Sequence, residues 1–174
     1  MDIGFNKFAS EWWKKFFDFQ GAKTQMKISE HLKHVNLKMS AVGDKEIRLL
    51  SSNVKTIETL DLEGTEVSNT SILYLTKLQS LKELRLTNCR QIDDGCLPFL
   101  NQLFSLEYLY LGGTAITHKG IQGCDNLQNL KSINISVKDT ENSNPGLIAL
   151  QHTFPNCKLV VNDVYYRFDR LKVI

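Results

Sequence analysis

Cysteine and histidine are among the residues of this 174-residue chain that could act as nucleophiles, general bases or metal ligands. The cysteines lie at four positions, Cys89, Cys96, Cys124 and Cys157. None belongs to a Cys-x-x-Cys pair, so their spacing favours neither a zinc site nor a redox motif. Each stands where the repeated pattern described below requires a small buried residue, which predicts free thiols in the core and a reducing compartment. A disulfide between Cys89 and Cys96 remains the alternative.

The histidines and acidic residues do not complete a catalytic or metal-binding motif. The histidines are His31, His34, His118 and His152. The chain has no Gly-x-Ser-x-Gly elbow, no glycine-rich phosphate loop before a lysine and no His-Glu-x-x-His sequence. The adjacent carboxylates of Asp93 and Asp94 are explained as turn and helix-cap residues. We therefore predict no catalytic, cofactor-binding or metal-binding residue, and a protein that is not an enzyme.

A six-residue apolar pattern recurs along most of the chain. The hexads are LKHVNL, IETLDL, LKELRL, LEYLYL, LKSINI and a degenerate CKLVVN, which begin at Leu32, Ile57, Leu81, Leu106, Leu130 and Cys157. Successive hexads start 25, 24, 25, 24 and 27 residues apart, and a nearly fixed spacing in this range is typical of a solenoid. We expect each hexad to form a strand with its first, fourth and sixth residues in the core. The third and fifth residues then lie on the opposite, open face.

A turn and a short helix are predicted after each strand. Ser68, Asp93 and Thr117 stand where a helix needs an N-cap, because their side-chain oxygens can accept hydrogen bonds from free backbone N–H groups. Each predicted helix has two apolar residues three positions apart, a spacing that places both on the side facing the core. The pairs are Ile72 with Leu75, Leu97 with Leu100, and Ile121 with Cys124.

The strand, turn and helix pattern resembles the leucine-rich-repeat superfamily, and more narrowly its cysteine-containing and bacterial subtypes. The resemblance covers residues 32 to 162, about five to six repeats, and is most specific at 81–100 and 106–121. It implies an α/β solenoid, or horseshoe, with a parallel sheet on the concave side. Proteins of this fold are mostly recognition scaffolds, so the resemblance favours non-catalytic binding of a protein partner through the concave sheet.

A looser resemblance suggests a second function. Residues 92–97, Ile-Asp-Asp-Gly-Cys-Leu, and their flanks are similar to the ATP synthase coupling factor B family of small mitochondrial leucine-rich-repeat proteins, whereas the N-terminal third shows no match. This resemblance implies a stable subunit or assembly factor of a larger complex, membrane-associated or mitochondrial in location.

The open face of the predicted sheet is the most distinctive surface of the repeats. Tyr108, Tyr110 and Arg85 lie at its centre, and acidic residues flank them. The flanking acids are Glu83, Asp61 and Glu63. Tyrosine and arginine are enriched among binding hot spots, so we predict that these six residues contact a protein partner. The alternative is an internal ladder in which Arg85 pairs with Asp61 and the tyrosines only stack. The pattern also predicts Leu159 and Val161 on the open face of the last strand.

Both ends of the chain lie outside the repeats. Residues 1 to 31 contain an amphipathic helix with an aromatic face. This face comprises Phe5, Phe8, Ala9, Trp12, Phe16 and Phe19. We expect the helix to cap the first repeat; a partner-docking helix and a membrane-surface helix are the alternatives. Residues 163 to 174 are predicted to form an edge strand that caps the sheet, or a tail.

Charge and composition narrow the class of partner and the compartment. Residues 39 to 157 hold ten basic against thirteen acidic residues, and this net negative charge argues against a nucleic-acid ligand. The N-terminal helix is too short and too charged to span a bilayer, and no signal-peptide pattern is present. We therefore expect a cytoplasmic protein, with mitochondria as the alternative.

Overall fold

The computed structural model describes residues 2–3, 29–137, 144–162 and 164–166, and these form one sheet with helices between its strands. The strands are β1 Asp2–Ile3, β2 His31–Asn36, β3 Thr56–Asp61, β4 Ser80–Arg85, β5 Tyr108–Tyr110, β6 Ser132–Ile135, β7 Lys158–Val161 and β8 Val164–Tyr166. The helices are α1 Asp44–Asn53, α2 Asn69–Leu75, α3 Leu97–Leu100, α4 His118–Ile121 and α5 Asn144–Thr153. A 3-10 turn, Asp94–Cys96, precedes α3.

The eight strands lie side by side in sequence order. Strands β1 to β7 are parallel to their neighbours, and β8 returns antiparallel to β7. A parallel neighbour requires a crossover connection, which the helices α1 to α5 provide between β2 and β7. The predicted α/β class and the parallel sheet are therefore confirmed.

The core follows the hexad positions. In register across four strands, Leu60, Leu84, Leu109 and Ile133 occupy the fourth position, and each is at most 1% exposed. The first and sixth positions of the first five hexads are buried as well. Each of these side chains packs between its counterparts in neighbouring repeats, so the leucine period predicts the core residues of these five hexads correctly.

The last hexad is shifted by one residue from its predicted alignment. Leu159 and Val161, predicted on the open face, are 3% and 1% exposed and belong to the core. Leu159 pairs with Ile133, and the residues of β7 on the open face are Lys158 and Val160. A one-residue shift turns every side chain of a strand to the other face. Burial of a leucine and a valine therefore selects this register over the predicted one.

One position in the turn after each of five strands has a left-handed backbone. These residues are Met39, Gly64, Asn88, Gly113 and Asn162, with φ between 48° and 72°. Glycine and asparagine adopt this conformation readily. At Gly113 a side chain would also collide with its neighbour, since an added Cβ would lie 2.4 Å from Asn88 Oδ1.

The predicted N-caps are observed. Ser68 accepts a hydrogen bond from the Thr70 backbone N–H, and Thr117 accepts one from Gly120. The Asp93 side chain accepts from the Gly95 N–H and so starts the 3-10 turn before α3. These bonds satisfy donors that a helix start leaves free.

A second set of bonds joins successive repeats. The residue after one N-cap position binds the N-cap residue of the next repeat. Asp44 accepts from the Ser68 N–H at 2.9 Å, from the Ser68 hydroxyl at 2.5 Å and from the Ser71 hydroxyl at 2.5 Å. Asp94 accepts from both the N–H and the hydroxyl of Thr117 at 2.7 Å. Asp94, interpreted from the sequence as a turn or helix-cap residue, therefore also links two repeats.

The two ends of the chain are described only in part. The helix predicted within residues 1 to 31 has its aromatic face on residues 5 to 19, and these residues lie outside the described part of the chain, as do residue 163 and residues 167–174. Asp2 and Ile3 form β1 and pair with His34 and Val35, a strand that the sequence pattern did not predict. Among the described helices, none has the length and apolar character needed to cross a membrane.

Candidate recognition face

The third and fifth hexad positions form two rows that cross the strands. The third-position row is His34, Thr59, Glu83, Tyr108, Ser132 and Lys158, and the fifth-position row is Asn36, Asp61, Arg85, Tyr110, Asn134 and Val160. Neighbouring strands are about 4.8 Å apart, so the rows form a continuous surface. We call this surface the open face.

Tyr108 and Tyr110 stand together on β5 because side chains two residues apart point to the same side of a strand. Both are half-buried, and Leu109 between them is fully buried. The guanidinium of Arg85 lies 4.9 Å from the centre of the Tyr110 ring, and the Lys131 ammonium lies 5.9 Å from that of Tyr108. Each ring is thus in a cation–π contact and remains partly exposed.

Arg85 is held mainly by Glu83 on its own strand. Its Nε donates to Glu83 Oε1 at 2.6 Å, and its side chain remains 42% exposed. Burial would lower the pKa of Arg85, but the hydrogen bond and charge of Glu83, with smaller effects of Tyr110 and Asp61, raise it. The internal ladder considered from the sequence paired Arg85 with Asp61, and the structure pairs it with Glu83 instead. The contacts of the two tyrosine rings are with Arg85 and Lys131.

Asp61 and Glu63 lie beside this centre, toward the first repeat. Asp61 is only 8% exposed, and its Oδ1 accepts the Glu63 backbone N–H at 3.0 Å. Glu63 forms an ion pair with Lys38 at 2.8 Å. The structure thus places all six predicted site residues on or beside one continuous surface around β3, β4 and β5. Their predicted contact with a partner stays a prediction.

A row of alternating charges borders the open face at the second hexad position. Lys131 pairs with Glu107 at 2.5 Å, and the hydrogen bond from Lys131 lowers the pKa of Glu107. The row is Lys33, Glu58, Lys82, Glu107 and Lys131. Lys131 and Lys38 were not among the site residues predicted from the sequence. Aligning the second hexad position as well would have revealed the alternation, because opposite charges on neighbouring parallel strands attract.

The four cysteines are free and buried, as the repeat positions predicted. Burial raises the pKa of Cys96 and of Cys157 to about 12 and that of Cys124 to about 11. It raises the pKa of Cys89 as well. Thiols with such pKa values hold almost no thiolate at neutral pH, so they are poor nucleophiles.

We expect all four thiols to react slowly with a disulfide reagent at pH 8 and rapidly after unfolding in guanidinium chloride. Burial hides the sulfur atoms, and the raised pKa values leave almost no thiolate at that pH. The measurement is the time course with which the reagent releases its own thiol, with and without denaturant. Rapid reaction of two or more thiols in the folded protein would contradict their assignment to the core.

Two further observations bear on the class of protein. Within residues 29–137, 144–162 and the two terminal strands, no group of three His, Cys, Asp or Glu side chains could hold a metal ion. No model of a known protein family matches the chain. The fold and the face together define an α/β protein with a sheet parallel from β1 to β7. The centre of this sheet displays two half-buried tyrosines, each in contact with a cationic side chain.

Proposed function

We propose that this chain is a leucine-rich-repeat solenoid that recognises a protein partner, without catalysis, through the open face of its sheet. The period of 24 or 25 residues between the first five hexads and the strands in sequence order support the solenoid. The cytoplasm is the proposed compartment. In such a solenoid the open face is the concave side, and it is built from rigid strands.

The observation that carries the proposal is the pair Tyr108 and Tyr110. Both rings extend from the central part of the sheet, and Arg85 and Lys131 hold them from either side. Large aromatic side chains that are already ordered lose little conformational entropy when a partner packs on them. Tyrosine also combines apolar area with a hydroxyl, which explains its enrichment at hot spots.

The double substitution Tyr108→Ala and Tyr110→Ala should weaken partner binding by about 2 kcal/mol or more, roughly thirtyfold in the dissociation constant. Neither side chain points into the core, so we expect the melting temperature to change little. The partner is first identified by affinity purification with the full chain as bait. Its dissociation constant is then measured by titration calorimetry for the wild type and the variant.

The matched control is Phe104→Ala. Phe104 is 57% exposed and lies in the connection between α3 and β5, away from the two rows of the open face. This change removes an exposed aromatic ring of similar size, and we expect it to leave affinity unchanged. If Phe104→Ala abolishes binding while the tyrosine variant binds normally, the open face is not the recognition surface.

The alternative function is a stable subunit or assembly factor of a larger complex, membrane-associated or mitochondrial. The similarity of residues 92–97 to the coupling factor B family supports it, and so does the aromatic pattern of residues 5–19, which could dock on a partner or a membrane surface. The two functions differ in how long the complex lasts. A subunit should remain bound through washes in about 1 M salt, where exposed ion pairs are screened within ~3 Å, whereas a transient adaptor should elute.

A further inference from the structure

The charges around Tyr108 and Tyr110 are largely neutralised within the protein. Glu83 pairs with Arg85, Glu63 with Lys38, and Glu107 with Lys131. An ion pair whose two charges already neutralise each other offers little net charge to a ligand. The specificity of the face must therefore come from groups outside these three pairs.

Asp61 is such a group. Its Oδ1 holds the turn by accepting the Glu63 N–H, and none of the described residues donates a hydrogen bond to Oδ2. The residue is 8% exposed and lies on the fifth-position row, in register with Arg85. Among the described residues, the fully buried side-chain atoms without a hydrogen-bond partner are His118 Nδ1 and Gln151 Oε1, so Asp61 Oδ2 is open to solvent and to a donor from a ligand.

We infer that the partner places a lysine or arginine side chain on Asp61 and an adjacent apolar side chain on Tyr108 and Tyr110. This inference rests on the proposed function of the open face. The ligand is a protein segment with a basic residue beside an aromatic or aliphatic one. It crosses β3, β4 and β5, which are about 10 Å apart from first to last.

The sign of the partner's charge follows from the local balance. Three acids and two bases lie in this part of the surface, which leaves one net negative charge. The acids are Asp61, Glu63 and Glu83, and the bases are Lys38 and Arg85. An acidic partner would have to bind Arg85, whose guanidinium already donates to Glu83 and lies on Tyr110. It would also face the carboxylate of Asp61. A cation can donate to Asp61 Oδ2 in a charge-assisted hydrogen bond. The charge of the neighbouring Arg85, which would repel it, is already offset by the ion pair with Glu83.

The test uses the full chain and a random peptide library displayed on phage. We expect the selected peptides to be enriched in lysine or arginine next to an aromatic or aliphatic residue. Asp61→Asn should weaken the binding of a selected synthetic peptide about tenfold or more and reduce its salt dependence, because the charge is lost. The amide keeps an oxygen for the Glu63 N–H, so the fold should be retained; an unchanged melting temperature checks this.

The matched control is Glu58→Gln. Glu58 lies on the same strand, β3, but at the second hexad position, outside the two rows of the open face. The substitution Glu58→Gln removes one negative charge, as Asp61→Asn does, but at a residue outside the two rows. We expect it to leave the peptide affinity unchanged. Equal losses for Asp61→Asn and Glu58→Gln would show only a general effect of net charge, and the inference would be wrong.

The remaining outcomes separate this inference from the proposed function. In a first outcome, the selected peptides are rich in aspartate or glutamate. In a second, basic peptides bind Asp61→Asn normally but lose affinity for the double tyrosine variant. Either outcome would mean that the face binds a ligand but that Asp61 does not select it. If no peptide is selected, or if the double tyrosine variant binds all of them normally, the open face is not a recognition surface and both proposals fail.

Discussion

Leu109→Ala should lower the free energy of unfolding by about 2 to 5 kcal/mol. Leu109 is fully buried at the fourth hexad position of β5, in register with Leu84 on one side and Ile133 on the other. Truncation removes its apolar contacts and leaves a cavity that rigid neighbouring strands cannot close. The measurement is equilibrium unfolding in urea, followed by circular dichroism.

The neighbouring residue provides the control for this prediction. Tyr110→Ala removes a larger side chain from the same strand, but one that is half-buried on the open face. We expect it to cost clearly less stability than Leu109→Ala. An equal or larger loss for Tyr110→Ala would mean that the open face is packed against something as a core is, and the assignment of inward and outward positions on β5 would be wrong.

Asp44→Ala should destabilise the protein by about 2 to 4 kcal/mol, because it removes the common acceptor of three hydrogen bonds. The Ser71 residue is fully buried, so its hydroxyl loses its partner without access to water. The Ser68 N–H also loses an acceptor. Asp125→Ala is the matched control, since Asp125 is exposed and accepts one long bond, 3.3 Å, from Asn101. Equal melting temperatures for the two variants would contradict this linking role of Asp44.

The same carboxylate makes stability depend on pH. Burial raises the pKa of Asp44, but the hydrogen bonds from Ser68 and Ser71 outweigh it, and the pKa lies below its ordinary value of 3.8. A carboxyl whose pKa is lower in the folded state stabilises the fold above its unfolded pKa. That contribution is lost as the pH falls through the folded pKa. We therefore expect the loss of stability below about pH 4 to be shallower in Asp44→Ala than in the wild type.

Much of the fold could be predicted from local spacing. The hexad period identifies Leu60, Leu84 and Leu109 as core residues, because one alternation of a strand buries the fourth and sixth hexad positions together. The N-caps Ser68 and Thr117 are equally local, since the residue that caps a helix is adjacent to it in the chain. The position of Tyr108 and Tyr110 opposite the core follows from the same alternation.

The degenerate end of the pattern shows where spacing becomes insufficient. The hexad beginning at Cys157 could be aligned in two ways, and each alignment buries apolar residues of β7. Only the pairing of Leu159 with Ile133 in the assembled sheet decides between them. β1 is a similar case, because Asp2 and Ile3 carry no strand pattern and join the sheet through backbone pairing with β2.

By itself, therefore, the sequence determined the alternation of strands and helices and, for the first five hexads, the buried leucines and the residues displayed on the open face. The tertiary structure alone decided which partners those residues have. Arg85 had acidic candidates at Glu83 and Asp61, and the structure brings Glu83 Oε1 to 2.6 Å from its Nε. Asp44 and Asp94 reach the next repeat, 23 to 27 residues away along the chain. The physical reason is that side-chain periodicity depends on neighbouring residues, whereas the bonds of Asp44 and Asp94 depend on distances that exist only after the repeats have stacked. The choice of Arg85 between Glu83 on its own strand and Asp61 on the neighbouring strand likewise requires the assembled sheet.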